Sequence, residues 1–190
     1  MAFYGAGVEY ALHTLLNLSH APDSVTPSAR DLADFQRLPV AFVRKLLTQL
    51  AKAGLVEGTE GARGGWRLAR DPGAITALEV AEAIQGREPL FDCRNIRERC
   101  ALWSDGAAPN AATSGVCAIH SVMLAAEAAM RRELATHTLA GIATQVGAKT
   151  SPEGAVAIPD WFARCFAARR SAGMEGGAPE SSRGTEAGHG

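Results

Sequence analysis

The sequence lacks the features that mark several large classes of protein. Its formal net charge over 190 residues is only −1, so the overall charge gives no sign of a nucleic-acid partner. The N-terminus shows no basic segment ahead of an apolar core, and the apolar runs fall short of the ~20 residues that a membrane span needs. We therefore expect a cytoplasmic protein that does not enter a membrane.

Catalytic and nucleotide-binding patterns are missing as well. The sequence has no glycine-rich phosphate loop, no second cofactor motif and no Ser/His/Asp or Cys/His set in a plausible context. An enzyme is therefore not expected. The chain has only four cysteines, and in the cytoplasm this number favours metal binding or thiol redox chemistry over a framework of disulfides.

Positive charge, by contrast, is concentrated in one segment. Residues 28–70 contain eight Lys or Arg and four Asp or Glu, which is a balance of +4 in a nearly neutral chain. A local basic surface of this kind is what the neutralisation of phosphates requires. Charge alone does not separate this interpretation from a solvated helix face.

The first half of the chain has the pattern of short helices and one hairpin. Apolar residues recur at helical spacing over 8–19. Ser28, with Asp31 three positions later, predicts the start of a second helix, and Gly54 predicts the end of a third. A glycine-rich stretch between two short apolar segments then predicts a hairpin, and a capping box at 76–79 predicts a fourth helix.

Two helices joined by a short turn and followed by a glycine-rich hairpin make a winged helix-turn-helix. We predict this unit for residues 1–86, in a fold that is mainly α with a small β-hairpin wing. The third helix would enter the major groove of double-stranded DNA, with Arg44 on guanine and Lys45 on phosphate. The residues predicted to contact DNA are Ser28, Arg30, Pro39, Ala41, Phe42, Arg44, Lys45, Thr48 and, at the tip of the wing, Arg63.

The rest of the chain is predicted to hold a loop, two helices and an extension. Residues 87–116 have weak periodicity and form a cysteine-bearing loop, and 117–146 contain a long alanine-rich helix followed by a short one. Small residues allow helices to approach closely, so we predict an antiparallel homodimer through the long helix, which would read a pseudo-palindromic operator. Residues 147–170 form a C-terminal extension, and 171–190 are predicted to be a disordered tail.

Three cysteines, Cys93, Cys100 and Cys117, lie in or beside the predicted loop. Their spacing, C-x6-C-x16-C, matches neither zinc ribbons nor ferredoxins. Spacing therefore leaves open a metal site, a thiol switch or unreactive cysteines. A helix N-terminus lowers the pKa of a thiol, which favours a thiolate at Cys117, whereas Cys165 is expected to pack in a short C-terminal helix.

A pair of polar residues on the first helix offers further metal donors. Glu9 and His13 are four residues apart and therefore share one helix face, away from the apolar stripe. Two donors so placed can chelate a metal, and they can equally form an ordinary pair on a solvated face.

Two motifs of the wing are similar to those of a known family. Gly54-Leu55-Val56, followed by Gly64-Gly65-Trp66-Arg67-Leu68-Ala69-Arg70, resembles the wing of the Rrf2-type iron–sulfur winged-helix regulators, the family of IscR, NsrR and RsrR. The likeness extends over about residues 1–146. It implies a transcription regulator, more specifically a repressor, whose operator affinity depends on a bound iron–sulfur cluster that senses redox state, nitric oxide or cluster supply.

The same resemblance implies a set of cluster ligands. Cysteines between the wing and the long helix are the cluster-binding signature of the family, although an insertion at 104–115 widens their spacing here. The first helix resembles that of redox-sensing members, in which a glutamate and a histidine hold a two-iron two-sulfur cluster with two cysteines of the partner subunit. The residues so assigned are Cys93, Cys100, Cys117, Glu9 and His13, with His120 as a rival fourth ligand.

Other interpretations stay open from the sequence. One is a thiol-based or constitutive winged-helix regulator without a cluster, and another is zinc in place of the cluster. A third is a redox enzyme or cluster-delivery protein that uses the winged helix to contact other proteins.

Overall fold

The computed structural model describes residues 4–59, 61, 64–103, 106 and 108–175. In this part of the chain, helices and one two-stranded antiparallel hairpin alternate as the sequence predicts. The elements are α1 (Ala6–His20), α2 (Ala29–Gln36), α3 (Val40–Lys52), β1 (Val56–Thr59), β2 (Gly65–Leu68), α4 (Ala77–Gln85), α5 (Asn110–Thr113), α6 (Ala118–Thr136), α7 (Leu139–Gly147) and α8 (Pro152–Glu175). The predicted fold class, mainly α with a β-hairpin wing, is confirmed.

Local signals in the sequence position the first elements. Ser28 caps α2, because its hydroxyl accepts from the amide of Asp31 while the Asp31 carboxylate accepts from the amide of Ser28. Gly54 follows α3 with a φ of +68°, a conformation that glycine adopts without strain. A second capping box joins Thr76 to Glu79 at the start of α4. The predicted starts of α2 and α4 and the end of α3 are therefore correct.

The hairpin packs closely against the segment that precedes α2. Gly65, the first residue of β2, lies so close to this segment that a Cβ atom on it would stand 2.2 Å from the Thr26 carbonyl oxygen. The amide of Trp66 donates to the Pro27 carbonyl at 2.9 Å. Only glycine fits at position 65, and the base of the wing is thus fixed against the chain leading into α2.

The hydrophobic core lies within α1 to α4 and the hairpin, which we call the head (residues 4–86). Leu15 of α1, Leu47 of α3 and Val80 of α4 are fully buried there. Leu139 of α7 and Phe162 of α8 belong to the same core, so two elements from beyond the head complete it.

The C-terminal region differs from the prediction. Instead of a short helix in an extension ending at residue 170, α8 runs for 24 residues to Glu175. Residues 171–175 are therefore helical, not disordered, and 176–190 lie outside the described residues. The physical reason is that α8 has a large apolar face, which includes Trp161, Phe162 and Phe166 and packs on the head.

Residues 87–136 contrast with the head. The predicted loop holds α5 and two short 3-10 turns, Ile96–Arg99 and Ala101–Trp103, so it has more local structure than expected. No residue of α6 is buried. The stretch Asn110–Thr136 is long and apolar enough, by length and composition, to cross a membrane, which is weak evidence of a span. The expectation of a chain that does not enter a membrane stays a prediction.

Candidate DNA-binding surface and cysteine loop

Helix α3 has one buried face and one exposed face, as a recognition helix requires. The buried face consists of Val43, Leu46, Leu47 and Leu50. The residues predicted to face outward, Ala41, Arg44, Lys45 and Thr48, are all exposed. The cationic side chains are therefore accessible on a helix anchored by four apolar residues, which is the arrangement that groove readout needs.

Two other predicted contact residues lie at the start of α3. Pro39 is exposed and stands at the N-cap position of the helix. Phe42 is half-buried, and its ring meets that of Tyr10 of α1 edge to face, with centroids 5.8 Å apart. Phe42 thus joins α3 to α1, and its contact with a base stays a prediction.

The remaining predicted contacts belong to α2 and the wing. The Ser28 hydroxyl is engaged in the helix cap, while Arg30 is exposed beside it. Arg63 lies outside the described residues. On the wing strands, Arg67 pairs with Glu57 at 2.9 Å, so this arginine is locally neutralised.

Cys93 and Cys117 line one cavity in the cysteine loop (residues 87–116) and its junction with α6. The cavity has a volume of about 250 Å³, and its wall also includes Phe91 and His120, whose ring centroids are 5.6 Å apart. Cys100 is exposed and is not part of this wall. The structure therefore brings together two of the three predicted cysteines with His120.

Cys117 occupies the N-cap position of α6. The backbone N–H groups of His120 and Ile119 donate to its sulfur and hold the pKa of the thiol below its usual value, and the nearby Arg97 guanidinium acts in the same direction. The predicted effect of the helix N-terminus on this thiol is confirmed. Burial instead raises the pKa of Cys165 on α8, in keeping with its expected role in packing.

The full predicted ligand set does not come together in a single chain. Among the residues that the structure describes, no three His, Cys, Asp or Glu side chains form a group that could hold a metal ion. Glu9 and His13 are both exposed on α1, and neither lines the cavity of Cys93 and Cys117. The donors of α1 and those of the cysteine loop therefore do not form one group in the described part of a single chain.

Two arginines with structural roles were not found from the sequence. Arg97 donates to the carbonyls of Ser114 and Gly115 and so links the middle of the cysteine loop to its C-terminal end. Arg169 of α8 donates to carbonyls of the head. Neither stands in a recognisable motif, and the only signal for Arg169 is its position three residues after Phe166 on one helix face.

Helix α6 is attached to the head at its C-terminal end. An isolated β-bridge pairs Thr76 with Thr138, and the amide of Ala77 donates to the His137 carbonyl at 2.8 Å. Arg131 of α6 also forms an ion pair with Glu82 of α4. The helix whose first turn holds Cys117 is thus bound to the head by its last turns.

Comparison with known proteins identifies the family. The model of the Rrf2 family, described as an iron-dependent transcriptional regulator, matches residues 4–145. The HTH-type transcriptional regulator NsrR of Shouchella clausii is 33% identical over 87 residues, which are 46% of this chain and 58% of that protein. Protein rrf2 of Nitratidesulfovibrio vulgaris is 29% identical over 133 residues, 70% of this chain and 81% of its own.

The matches cover these proteins to different extents. The chain spans between 52% and 58% of the length of the first curated relatives that it matches. Among solved structures, CymR, the global cysteine regulator of B. subtilis, aligns with a TM-score of 0.57 and 21% identity over 76% of this chain and 98% of that chain. T. potens IscR aligns with a TM-score of 0.57 and 20% identity over 77% and 90%.

The similarity to these solved structures shows the fold alone. The match to the family model, in contrast, identifies the class of protein. The family description and the name of the NsrR relative both specify a transcriptional regulator. The chain therefore belongs to the Rrf2 family of winged-helix, DNA-binding transcriptional regulators.

Proposed function

We propose that the chain is a cytoplasmic homodimeric repressor that binds a pseudo-palindromic operator, and that an iron–sulfur cluster sets its operator affinity. The observation that carries the DNA-binding part is the exposed face of α3, on which Arg44 and Lys45 stand opposite four buried apolar residues. Arg44 is assigned to guanine and Lys45 to phosphate. Ser28 and Arg30 are assigned to the backbone of the duplex, and Arg63 to an adjacent minor groove or a phosphate.

The exposed apolar face of α6 supports the homodimer. Its side chains Ile119, Val122, Met123 and Leu124 are all exposed in the single chain. Exposed apolar surface of this kind marks an interaction site in a water-soluble protein. We assign it to antiparallel packing against α6 of a second copy, and not to a membrane.

The cysteine loop is the proposed cluster site. Cys93 and Cys117 supply two thiolates on one cavity, and the lowered pKa of Cys117 favours the ligating form. Because no third donor joins these two cysteines in a metal-holding group among the described residues, we assign the remaining ligands to Glu9 and His13 of the partner subunit, and the group to a two-iron two-sulfur cluster. When bound, such a cluster supplies a redox couple and sensitivity to oxidants and nitric oxide. Cys100, exposed in the loop, is a third possible ligand, and His120 is a rival to the histidine of α1.

This chain supplies a direct connection from the loop to the head. Cys117 begins α6, and the other end of α6 is bonded to α4 through Ala77, Thr138 and the Arg131–Glu82 pair. A change in charge at Cys117 therefore acts on one end of a helix whose other end contacts the head. Two copies joined by α6 would turn such a shift into a change in the spacing of the two recognition helices.

Anaerobic native mass spectrometry of the full chain tests the dimer and the cluster together. The expected result is a dimer with iron and sulfide, from which Cys93→Ser and Cys117→Ser each remove the cluster. Cys165→Ser, on α8, is the matched control and is expected to keep it. Wild-type protein that is free of metal and colourless after anaerobic purification would contradict the cluster.

Control of DNA binding is tested on a duplex selected from a random pool by the full-length protein. The cluster-bound and cluster-free forms are expected to bind that duplex with different affinities. Equal affinities with the same salt dependence would exclude the cluster as the controlling group.

The lowered pKa of Cys117 also favours a second candidate, a thiol-based regulator. A thiolate on a cavity that also holds Cys93 can be oxidised without any metal. In this case metal-free protein would lose operator affinity on treatment with peroxide and regain it with a dithiol reductant. A constitutive regulator would respond to neither treatment.

A further inference from the structure

Helix α8 lies beyond the part of the chain that the family model matches, yet it packs on the head. Phe162 is only 1% exposed and belongs to the core. Its ring centroid lies 5.1 Å from that of Phe35 of α2, and the ring of Trp161 approaches Phe35 at the same distance. The docking of α8 is therefore apolar and close, and it is directed at the first helix of the helix-turn-helix.

Two turns further along α8, Arg169 contacts three points of the head at once. Its Nη2 donates to the Thr26 carbonyl at 2.7 Å and pairs with the Asp31 carboxylate at 3.0 Å. Its Nη1 donates to the Gly64 carbonyl at 2.9 Å. One planar guanidinium thus joins the chain before α2, the cap of α2 and the entry to β2.

These acceptors stand where the wing meets the helix-turn-helix. Gly65, next to Gly64, is in contact with the Thr26 carbonyl, and Trp66 donates to Pro27. Asp31 is also the residue that closes the capping box of Ser28. Any change in the angle between the wing and α2 would therefore stretch the contacts of Arg169.

We propose that Arg169 is a positioning residue for DNA binding. It holds the base of the wing at a fixed place relative to α2 and α3, so that the wing and the recognition helix can engage one duplex together. Arg169 does not itself touch DNA in this proposal. The inference rests on the DNA-binding function proposed above and extends the DNA-binding unit to a helix outside the family match.

The energetics favour a role in geometry over a role in stability. Arg169 is 24% exposed and Asp31 only 9% at the side chain, and burial of an ion pair carries a desolvation cost that offsets much of the attraction. The Nε atom of Arg169 is buried and has no acceptor among the described residues, which adds to that cost. A planar fork with several donors, in contrast, fixes direction in a way that a lysine ammonium does not.

The experiment uses full-length protein and a duplex enriched from a random pool by the wild type. Arg169→Gln and Arg169→Lys are both expected to weaken binding of this duplex by about tenfold. This is the scale of the affinity lost when one contact with DNA, here that of the wing, is removed. Both are also expected to speed hydrogen exchange at the amides of Gly65 and Trp66, while far-UV circular dichroism stays unchanged. Asp31→Asn, which keeps a cap oxygen but removes the charge, is expected to speed the same exchange.

Arg170→Gln is the matched control, because Arg170 is the next residue of α8 and is exposed. It removes the same charge and should leave the exchange at Gly65 and Trp66 unchanged. Wild-type affinity in Arg169→Gln, or full rescue by Arg169→Lys with unchanged exchange, would overturn the proposal in favour of a simple charge effect. If the wild type enriches no duplex, DNA binding itself fails as a proposal, and the exchange at the two amides still decides whether Arg169 holds the wing.

Discussion

The head and the segment from residue 87 to residue 138 differ in how they bury their apolar side chains. In the head, apolar side chains from α1, α3 and α4 are buried together, with Leu139 and Phe162 added from α7 and α8. Between 87 and 138, none of the described residues is buried, although this segment contains large apolar side chains such as Ile119 and Val122. The head is thus complete within one chain, whereas α6 and the cysteine loop carry apolar surface that a second copy can cover.

This difference separates the two halves of the proposed regulator. The DNA-binding surface depends on contacts inside one chain, so its geometry is already present in the monomer. The proposed sensor site depends on donors that one chain does not bring together. Each of the following changes tests whether the two regions are independent of each other.

The largest effect is expected from the core of the head. Phe162→Ala removes a fully buried ring and should lower the free energy of unfolding by about 3–5 kcal/mol, as measured by chemical denaturation. Phe91→Ala, in the cysteine loop, is the matched control and should cost less than about 1 kcal/mol because its ring is only half-buried. Similar losses in the two variants would mean that the loop belongs to the same cooperative core.

The next effect concerns association of two copies. Val122→Glu places a charge on the exposed face of α6, where the side chain is 67% exposed, and should weaken the dimer about 100-fold, or about 2.7 kcal/mol. Sedimentation velocity across a range of concentrations measures this change. Val156→Glu, at a 59% exposed position of α8, should leave the dimer intact, and dissociation in both variants would argue against α6 as the specific interface.

A smaller change in free energy is expected at the recognition helix. Arg44→Ala should cost about 1–3 kcal/mol in binding of the selected duplex and relax its sequence preference, while Lys45→Ala should weaken binding to all duplexes and lower the salt dependence. Gel-shift titrations of both variants at several salt concentrations distinguish the loss of a base contact from the loss of a phosphate contact. Arg67→Ala, on a strand arginine paired with Glu57, is the control, and an equal loss of preference in this variant would contradict the assignment.

The smallest expected effect is a difference in thiol reactivity between the two regions. The pKa of Cys117 is lowered and that of Cys165 is raised, and only the thiolate attacks an alkylating agent. As the pH falls, alkylation of metal-free protein should therefore persist longer at Cys117 than at Cys165. Mass spectrometry of peptides after timed iodoacetamide treatment gives both rates, and the reverse order would contradict the helix-terminus effect.

The sequence predicts the head well because its signals are local. A capping residue and its partner, such as Ser28 and Asp31, lie within one turn, and the inward stripe of α3 repeats at the period of a helix. Such signals do not depend on the rest of the fold. Position 65 is a different case. Glycine is required there because a side chain would collide with Thr26, and not because of the backbone angles of the residue itself.

The parts that were not predicted depend on distant residues. The length and role of α8 follow from its contact with Phe35 and Asp31, which stand far away in the chain, while its own composition mixes aromatic residues with many small ones. The spacing of the cysteines likewise gives no distance in space, so the sequence could not tell that Cys93 and Cys117 share a cavity that excludes Cys100.

The position of the aromatic residues has a practical consequence for observing this protein in solution. The chain has three tryptophans: Trp66 lies on the wing, Trp103 ends a turn of the cysteine loop, and Trp161 packs on Phe35 from α8. The wing, the cysteine loop and α8 therefore each contain one intrinsic emitter. Variants that keep a single tryptophan would give separate optical signals for the wing, the loop and the C-terminal helix, without any attached dye.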